Sequence, residues 1–501
     1  SCQLQWLDEL TKGADAHLPA IIDFDGSHFT YGQLEDMVAT LAEILRIHGV
    51  RPGDRVMLVS ENCATFAVAV LAVTRLRAWI TPANARQSVE EVEAIRTHSG
   101  ARMALFTPEA SENSAVHARR MAASKIGRLA CGVILASQTY EVSAEPVTTD
   151  PKTQVAALMY TTGTTSAPKG VMLTHNNLMW NARVSGQTRK LGPNDTVLAV
   201  LPATHIYCFS SGICAALYAG ATIRFMPRFS PQAVLDAFAE GITMMPAVPQ
   251  MYQAIVNHLK SLGKKPSAPK LRLISSGGAP LDPAWKKGIE EFFGLPLHNG
   301  YGLTETSPGV TVTRPERPRD DVSVGELVEG VEVLIDQPDQ SGVGEVLIRG
   351  PNIMLGYYRN PVATAEAVDQ DGWFHSGDLG HLGVDGELYI VGRRKELIIR
   401  SGFNVYPPEV EAMLTRHPKI LQAAVIGRTV SGDEQILAFL LVNSPLAGDE
   451  VKFWLRDHLV AYKIPQHVFV VDSFPTAPTG KILKHKLATV YAGLLEAIDQ
   501  Q

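Results

Sequence analysis

Val155-Ala156-Ala157-Leu158-Met159-Tyr160 is followed directly by Thr161-Thr162-Gly163-Thr164-Thr165-Ser166-Ala167-Pro168-Lys169-Gly170. The first six residues read as a buried strand and the next ten as a phosphate cradle at its end. Four threonines and a serine supply hydroxyl donors, glycine lets backbone N–H groups come close to an oxyanion, and Lys169 adds a fixed positive charge. A Walker A loop needs Gly-Lys-Ser/Thr after its spacer, and here Pro168 stands where the second glycine belongs, so a Walker NTPase is disfavoured. A strand that ends in a ligand loop is the hallmark of an open α/β sheet.

Outward from this stretch, short β-rich runs alternate with amphipathic or Ala-rich helical runs from about residue 20 to 390. Strands are predicted at residues 55–60, 103–107, 221–226, 271–275 and 344–349, and helices at 63–75, 231–239 and 249–262. The fold class expected is α/β: a large N-terminal body of several subdomains with doubly wound sheets, then a small mobile α+β C-terminal domain. The charged run Gly392-Arg393-Arg394-Lys395-Glu396 marks the boundary, giving domains 1–394 and 395–501 with a hinge near Lys395. Residues 407–414 and 450–459 read as helices of the small domain, and 423–426 and 436–442 as its strands.

A chain of 501 residues exceeds one ordinary core, so two or more domains are needed. The formal net charge of −6 leaves no basic excess for nucleic acid or an anionic membrane, so Lys and Arg act locally, in sites. The five cysteines form no Cys-x-x-Cys pair, which fits neither a disulfide framework nor a zinc site and predicts a cytoplasmic location. Residues 196–223 carry no Asp, Glu, Lys or Arg, yet Pro202, Thr204, His205 and Gly212 divide them into strand, loop, helix and strand, so no transmembrane segment is expected. A homodimer is compatible with the chain, although nothing in the sequence reports oligomeric state.

Four further stretches carry chemistry. Ser275-Ser276-Gly277-Gly278-Ala279-Pro280-Leu281 lies between a strand and a helix, and its glycines let a flat base lie against backbone. Asn299-Gly300-Tyr301-Gly302-Leu303-Thr304-Glu305 closes a glycine-rich loop with a hydroxyl and a carboxylate suited to phosphate and Mg²⁺. Gly372-Trp373-Phe374-His375-Ser376-Gly377-Asp378-Leu379-Gly380 is read as a tight turn whose carboxylate accepts both hydroxyls of a ribose. Pro475-Thr476-Ala477-Pro478-Thr479-Gly480-Lys481 presents one lysine from a helix-poor loop.

Together and in this order, these motifs resemble the adenylate-forming superfamily: acyl-CoA synthetases, peptide synthetase adenylation domains and luciferases. The resemblance spans residues 160–481 and implies an enzyme that couples ATP to a small carboxylic acid, then transfers the acyl group to coenzyme A. It assigns Thr161, Thr162, Gly163, Thr164, Thr165 and Lys169 to the triphosphate, Gly277, Gly278, Ala279, Gly300 and Tyr301 to adenine, and Thr304 to the α-phosphate. Glu305 is implied as the Mg²⁺ ligand, Asp378 and Arg393 as the ribose contacts, and Lys395 as the hinge. Ser401 and Gly402 fall in the loop that lines the CoA tunnel, and Lys481 matches the lysine that adenylation requires. Two positions depart from the family: it carries Ser where Thr162 stands and Gly where Ser166 stands. Thr162 keeps the hydroxyl, whereas the Cβ of Ser166 restricts the loop.

His205 occupies the family's gate position, and the acyl pocket is expected from His205, Ile206, Phe209, Val248, Gly302 and Leu303. The segment around Ala203-Thr204-His205-Ile206 lacks the Phe-Asp pair that binds an amino group, which argues against amino acid substrates. The pocket candidates are mostly apolar with no evident second cation, so a dicarboxylate such as malonate is disfavoured. An aromatic or medium-chain monocarboxylic acid is expected. A ligase delivering acyl-AMP to a carrier protein, a luciferase-like oxygenase and a silent acyl-nucleotide sensor stand as alternatives. Lys169, Glu305, Asp378, Arg393 and Lys481 argue against silence.

Overall fold

In the computed structural model, residues 3–161, 168–277 and 280–501 are described. Thr162, Gly163, Thr164, Thr165 and Ser166 of the cradle, and Gly278 and Ala279, lie outside them.

Two large sheets form the body. The first has eight strands, with Val155–Tyr160, Trp79–Asn84, Arg55–Ser60 and Ala101–Phe106 running parallel through its middle. These strands read as near-continuous apolar runs because both faces are covered; Arg55–Ser60 is buried at every position. The return strand Gly170–Thr174 lies antiparallel to Val155–Tyr160, and the backbone N–H of Thr161 donates to the Lys169 carbonyl at 3.3 Å, closing the base of the cradle.

The second sheet has nine strands. Thr222–Phe225, Thr196–Ala199, Met244–Ala247, Leu273–Ser276 and Leu297–Gly302 are neighbours in parallel, with Gly309–Val312 antiparallel beyond them. The charge-free segment resolves as expected: strand Thr196–Ala199, a loop, a π-helix Tyr207–Cys214 continuing into Ala215–Tyr218, and strand Thr222–Phe225. Helix Ala64–Arg75 is buried along nearly its whole length, and helix His175–Arg189, opened by a Thr174–Asn177 capping box, buries most of its residues. Both contribute to one apolar cluster shared by the two sheets.

A four-stranded antiparallel sheet, Glu332–Asp336, Gly344–Arg349, Phe374–Leu382 and Leu388–Arg393, follows. After the single 3-10 turn Arg394–Glu396 the chain builds a separate core, in which Ile398, Val405, Val410, Leu414, Val425 and Ala438 pack together. There the predicted helix Pro407–Leu414 stands as read, while the strands Ile420–Val430 and Asp433–Val442 run longer than their apolar centres. Their outer residues, such as the half-buried Arg428 and the exposed Thr429, are polar, so composition hid them while ladder pairing carried them on.

Candidate active site

The ends of both sheets open into one cavity of about 1100 Å³. Thr161 and Lys169 reach it from the cradle, Gly277 from the turn after Leu273–Ser276, and Gly300, Tyr301, Gly302, Leu303, Thr304 and Glu305 from the end of Leu297–Gly302. His205, Ile206 and Val248 line it from the loops after two neighbouring strands, and Arg393, Lys395 and Lys481 close it from the C-terminal side. Residues predicted from five separated stretches thus meet at one place.

The ammonium of Lys169, predicted to face the triphosphate, sits 5.3 Å from the centre of the Tyr357 ring, a cation–π distance. The Tyr357 hydroxyl donates to Oε2 of Glu305 at 2.7 Å, and Oε1 accepts no hydrogen bond among the described residues. No group of three or more His, Cys, Asp or Glu side chains gathers into a metal centre among the described residues. A lone carboxylate with one oxygen committed and one free suits Mg²⁺ that takes its other ligands from phosphate and water. Tyr357 was missed in the sequence, where Gly356-Tyr357-Tyr358 reads as an ordinary short strand.

Asp378, the predicted ribose contact, belongs to the strand Phe374–Leu382, and the predicted tight turn is corrected accordingly. Gly377 adopts φ +73° and its N–H donates to Glu345, a local irregularity that glycine signalled without ending the strand. Asp378 pairs in register with Arg393 of the next strand, and Arg393 Nε stands 3.6 Å from Asp378 Oδ1. The Tyr301 hydroxyl also donates to Asp378. Asp378 is 4% exposed, and burial raises its pKa against the lowering effect of Arg393 and the Tyr301 hydrogen bond. Asn299, Gly300 and Tyr301 likewise sit in strand rather than loop, and a Cβ on Gly302 would meet the Pro308 carbonyl oxygen at 2.1 Å.

Lys481 is held by a hairpin turn in which the Ala477 N–H donates to the Lys481 carbonyl at 2.8 Å and the Gly480 N–H to the Ala477 carbonyl at 2.8 Å. The side chain keeps contact with solvent in the open cavity. Even so, the protein around its ammonium desolvates it and, with the Arg393 guanidinium, brings its pKa down to about 8. Below that pH Lys481 is a cation, and above it the charge is lost. The kcat/KM for acid-dependent pyrophosphate release is therefore expected to hold level up to about pH 8 and to fall about tenfold per unit beyond it. Lys481→Arg is expected to carry the limb beyond about pH 10, and an unshifted limb in that variant would remove the assignment.

His205 accepts a hydrogen bond at Nδ1 from the Tyr207 N–H at 3.3 Å, which leaves Nε2 to carry the proton. Burial, then the nearby Lys481 charge, pulls its pKa to about 4, so a neutral ring lines the cavity at physiological pH. Phe209 is not a wall of this cavity. It is 1% exposed and packs edge-to-face on Phe66 at 6.3 Å, because its place in the π-helix turns it into the core between the sheets. Tyr207, two residues before it, lines the cavity instead, its ring against the Cα of Gly277 and its hydroxyl 3.2 Å from Ser275 Oγ.

Polar and basic side chains line the cavity as well. Asn181, Ser185 and Arg189 of helix His175–Arg189 and Ser211 of the π-helix line the same cavity. Arg189 falls in the last turn of its helix, where a basic residue complements the dipole. Ser401 and Gly402 do not reach the cavity. They form the exposed turn of the hairpin Ile398–Arg400 and Phe403–Val405, with Gly402 at φ +81° and nothing within 4 Å of where a Cβ on it would stand.

Residues 11–358 match the AMP-binding enzyme family and residues 409–481 match the AMP-binding enzyme C-terminal domain. The chain belongs to the AMP-binding enzyme family and is an AMP-forming acyl-CoA synthetase. It is 36% identical over 469 residues to a feruloyl-CoA synthase from Amycolatopsis sp, covering 92% of this chain and 93% of the relative. It is 34% identical over 513 residues to 4-coumarate–CoA ligase 3 from Oryza sativa subsp. japonica, covering 96% and 91%. Among solved structures, it superposes on an o-succinylbenzoate CoA synthetase from Bacillus subtilis in complex with its acyl-adenylate intermediate, with a TM-score of 0.81, 28% identity and coverage of 97% and 98%. No helix among the described residues is long and apolar enough to cross a membrane.

Proposed function

We propose that the acid is aromatic, and that the residues named above divide the work as the sequence predicts. The observation that carries the aromatic reading is the ring wall of the cavity: Tyr207 lines it with its ring packed against Gly277, where a Cβ would meet that ring at 2.7 Å. Walls of ring and glycine backbone favour a planar acyl group over a coiled aliphatic chain. The activities of the relatives, feruloyl-CoA synthase and 4-coumarate–CoA ligase, support it.

In the first half-reaction a carboxylate oxygen of the acid attacks the α-phosphorus of ATP and the bond to pyrophosphate breaks. Lys169 and the cradle hold the triphosphate, Thr304 donates to the α-phosphate, and Asp378 with Arg393 fixes the ribose. Lys481 offsets the negative charge shared between carboxylate and phosphate as they meet. Glu305 would hold Mg²⁺, which would supply further charge neutralisation for the leaving pyrophosphate. In the second half-reaction the CoA sulfur attacks the acyl carbonyl and AMP leaves, its thiol proton passing to solvent. The catalysis is positioning and electrostatics, with no covalent enzyme intermediate. A cytoplasmic location fits Cys63, Cys131, Cys208 and Cys214, which form no disulfide among the described residues.

The test is pyrophosphate release and thioester formation across paired acids: cinnamates and benzoates against hexanoate to decanoate. Aromatic acids are expected to exceed aliphatic ones by at least about tenfold in kcat/KM. Equal or greater rates with the aliphatic set would overturn the aromatic reading. Release of pyrophosphate without CoA transfer would favour a carrier-protein acceptor.

A further inference from the structure

The guanidinium of Arg189 is buried and without an anionic partner among the described residues. The residue is 7% exposed, ends the helix His175–Arg189 and lines the cavity. Nε donates to the Ser185 carbonyl at 3.3 Å, and Nη2 donates to Ser185 Oγ at 2.8 Å and to the Ser211 carbonyl. Nη1 donates to no protein acceptor among the described residues, and Arg189 forms no ion pair among them. The carboxylate whose charge reaches it, Asp195, is already bound by Arg272 through Nε at 3.0 Å and Nη2 at 2.9 Å.

A guanidinium keeps its proton even when buried, so the charge itself must be compensated. Carbonyls and a serine hydroxyl compensate it only in part. The groups around it share the same polarity. Ser185 Oγ accepts from Arg189, and Ser211 Oγ accepts from Asn181 Nδ2 at 3.2 Å, so both hydroxyl protons are uncommitted. Both serines line the cavity. Asn181 has spent its amide on Ser210 and Ser211 and its oxygen on the Gly309 N–H. What faces the cavity here is a set of donors, Nη1 and two hydroxyls, with one full positive charge and no acceptor charge from the described residues.

We propose that the acid activated by this enzyme carries a second carboxylate at its far end, which pairs with Arg189 and accepts hydrogen bonds from Ser185 and Ser211. The inference rests on the acyl-CoA synthetase reading of the cavity and narrows the aromatic acid to a dicarboxylate, reversing the expectation drawn from the apolar pocket candidates. A phenol or methoxy oxygen would accept a hydrogen bond but leave the charge unpaired. A bare ring or methyl end would leave the charge and three donors without partners, the circumstance in which a buried polar site discriminates most.

The experiment compares kcat/KM for pyrophosphate release with 4-carboxycinnamate, 4-hydroxycinnamate and cinnamate, and with the aliphatic pair octanedioate and octanoate, in the wild type and in R189M and R189K. The wild type is expected to prefer each dicarboxylate over its matched monocarboxylate by about 100-fold. R189M is expected to invert that ratio, and R189K to restore part of it. If Arg189 only props the π-helix through Ser211, R189M lowers every acid in proportion and the ratio stays put, which overturns the proposal. Equal use of matched acids by the wild type, or a preference for 4-hydroxycinnamate over 4-carboxycinnamate, overturns it as well. Should the aliphatic acids surpass the aromatic ones while octanedioate still exceeds octanoate through Arg189, the aromatic reading fails and the second carboxylate stands.

Discussion

Lys481→Ala is expected to lower acid-dependent pyrophosphate release by about 10²–10³-fold while leaving CoA transfer from supplied acyl-AMP largely intact. The reason is placement. Lys481 lines the cavity with Arg393 and Lys395, and its charge reaches both His205 and Asp378, which stand on the acid and ribose sides. A cation between those two ends faces the point where carboxylate and α-phosphate meet, and that charge build-up belongs to the first half-reaction alone. The turn that carries it is held by backbone hydrogen bonds, so truncating the side chain leaves the loop in place. Single-turnover assays of each half-reaction separate the steps, and equal loss in both would show that Lys481 acts as a structural member of the site.

Gly402→Leu is expected to do the reverse, lowering thioester formation by about 100-fold and sparing pyrophosphate release. Here Gly402 stands on an exposed hairpin outside the cavity with open space around it. A side chain added at φ +81° costs about 1–2 kcal/mol of backbone strain. In the arrangement with Lys481 in the cavity, the Cβ of a side chain at this position would have nothing within 4 Å. A large effect confined to the second step would therefore require the C-terminal unit to turn about the segment Arg394–Glu396 and bring this hairpin to the acyl-adenylate. Normal thioester formation by Gly402→Leu would remove both the CoA assignment of Ser401 and Gly402 and the hinge at Lys395.

How far the molecule was legible beforehand follows from the kind of signal each part carries. The strand Val155–Tyr160 and its Thr-Gly-Lys sequel were readable because the phosphate chemistry is local, packed into ten consecutive residues. Helices such as Pro231–Ala239 and Pro407–Leu414 declared themselves through N-terminal proline and apolar period. Asp378 was found as a carboxylate but misplaced as a turn, since Gly377 and Gly380 mimic loop composition inside a strand that bulges. Phe209 was misassigned because a π-helix turns successive residues by less than an α-helix does, and sequence does not announce that winding. Arg189 was hidden most completely. Its neighbours in the cavity, Ser211 and the backbone near Gly309, come from elements far along the chain, and nothing local marks a helix-terminal arginine as buried.

One cavity is expected to join an acid to AMP before CoA takes the acyl group. Incubating enzyme in excess of α-labelled ATP with Mg²⁺ and an aromatic acid, without CoA, and quenching within a single turnover tests it directly. The account predicts label in acyl-AMP in step with pyrophosphate, and its discharge to free AMP and acyl-CoA when CoA is added. Label recovered as ADP, or pyrophosphate released at the same rate with and without the acid, would contradict it.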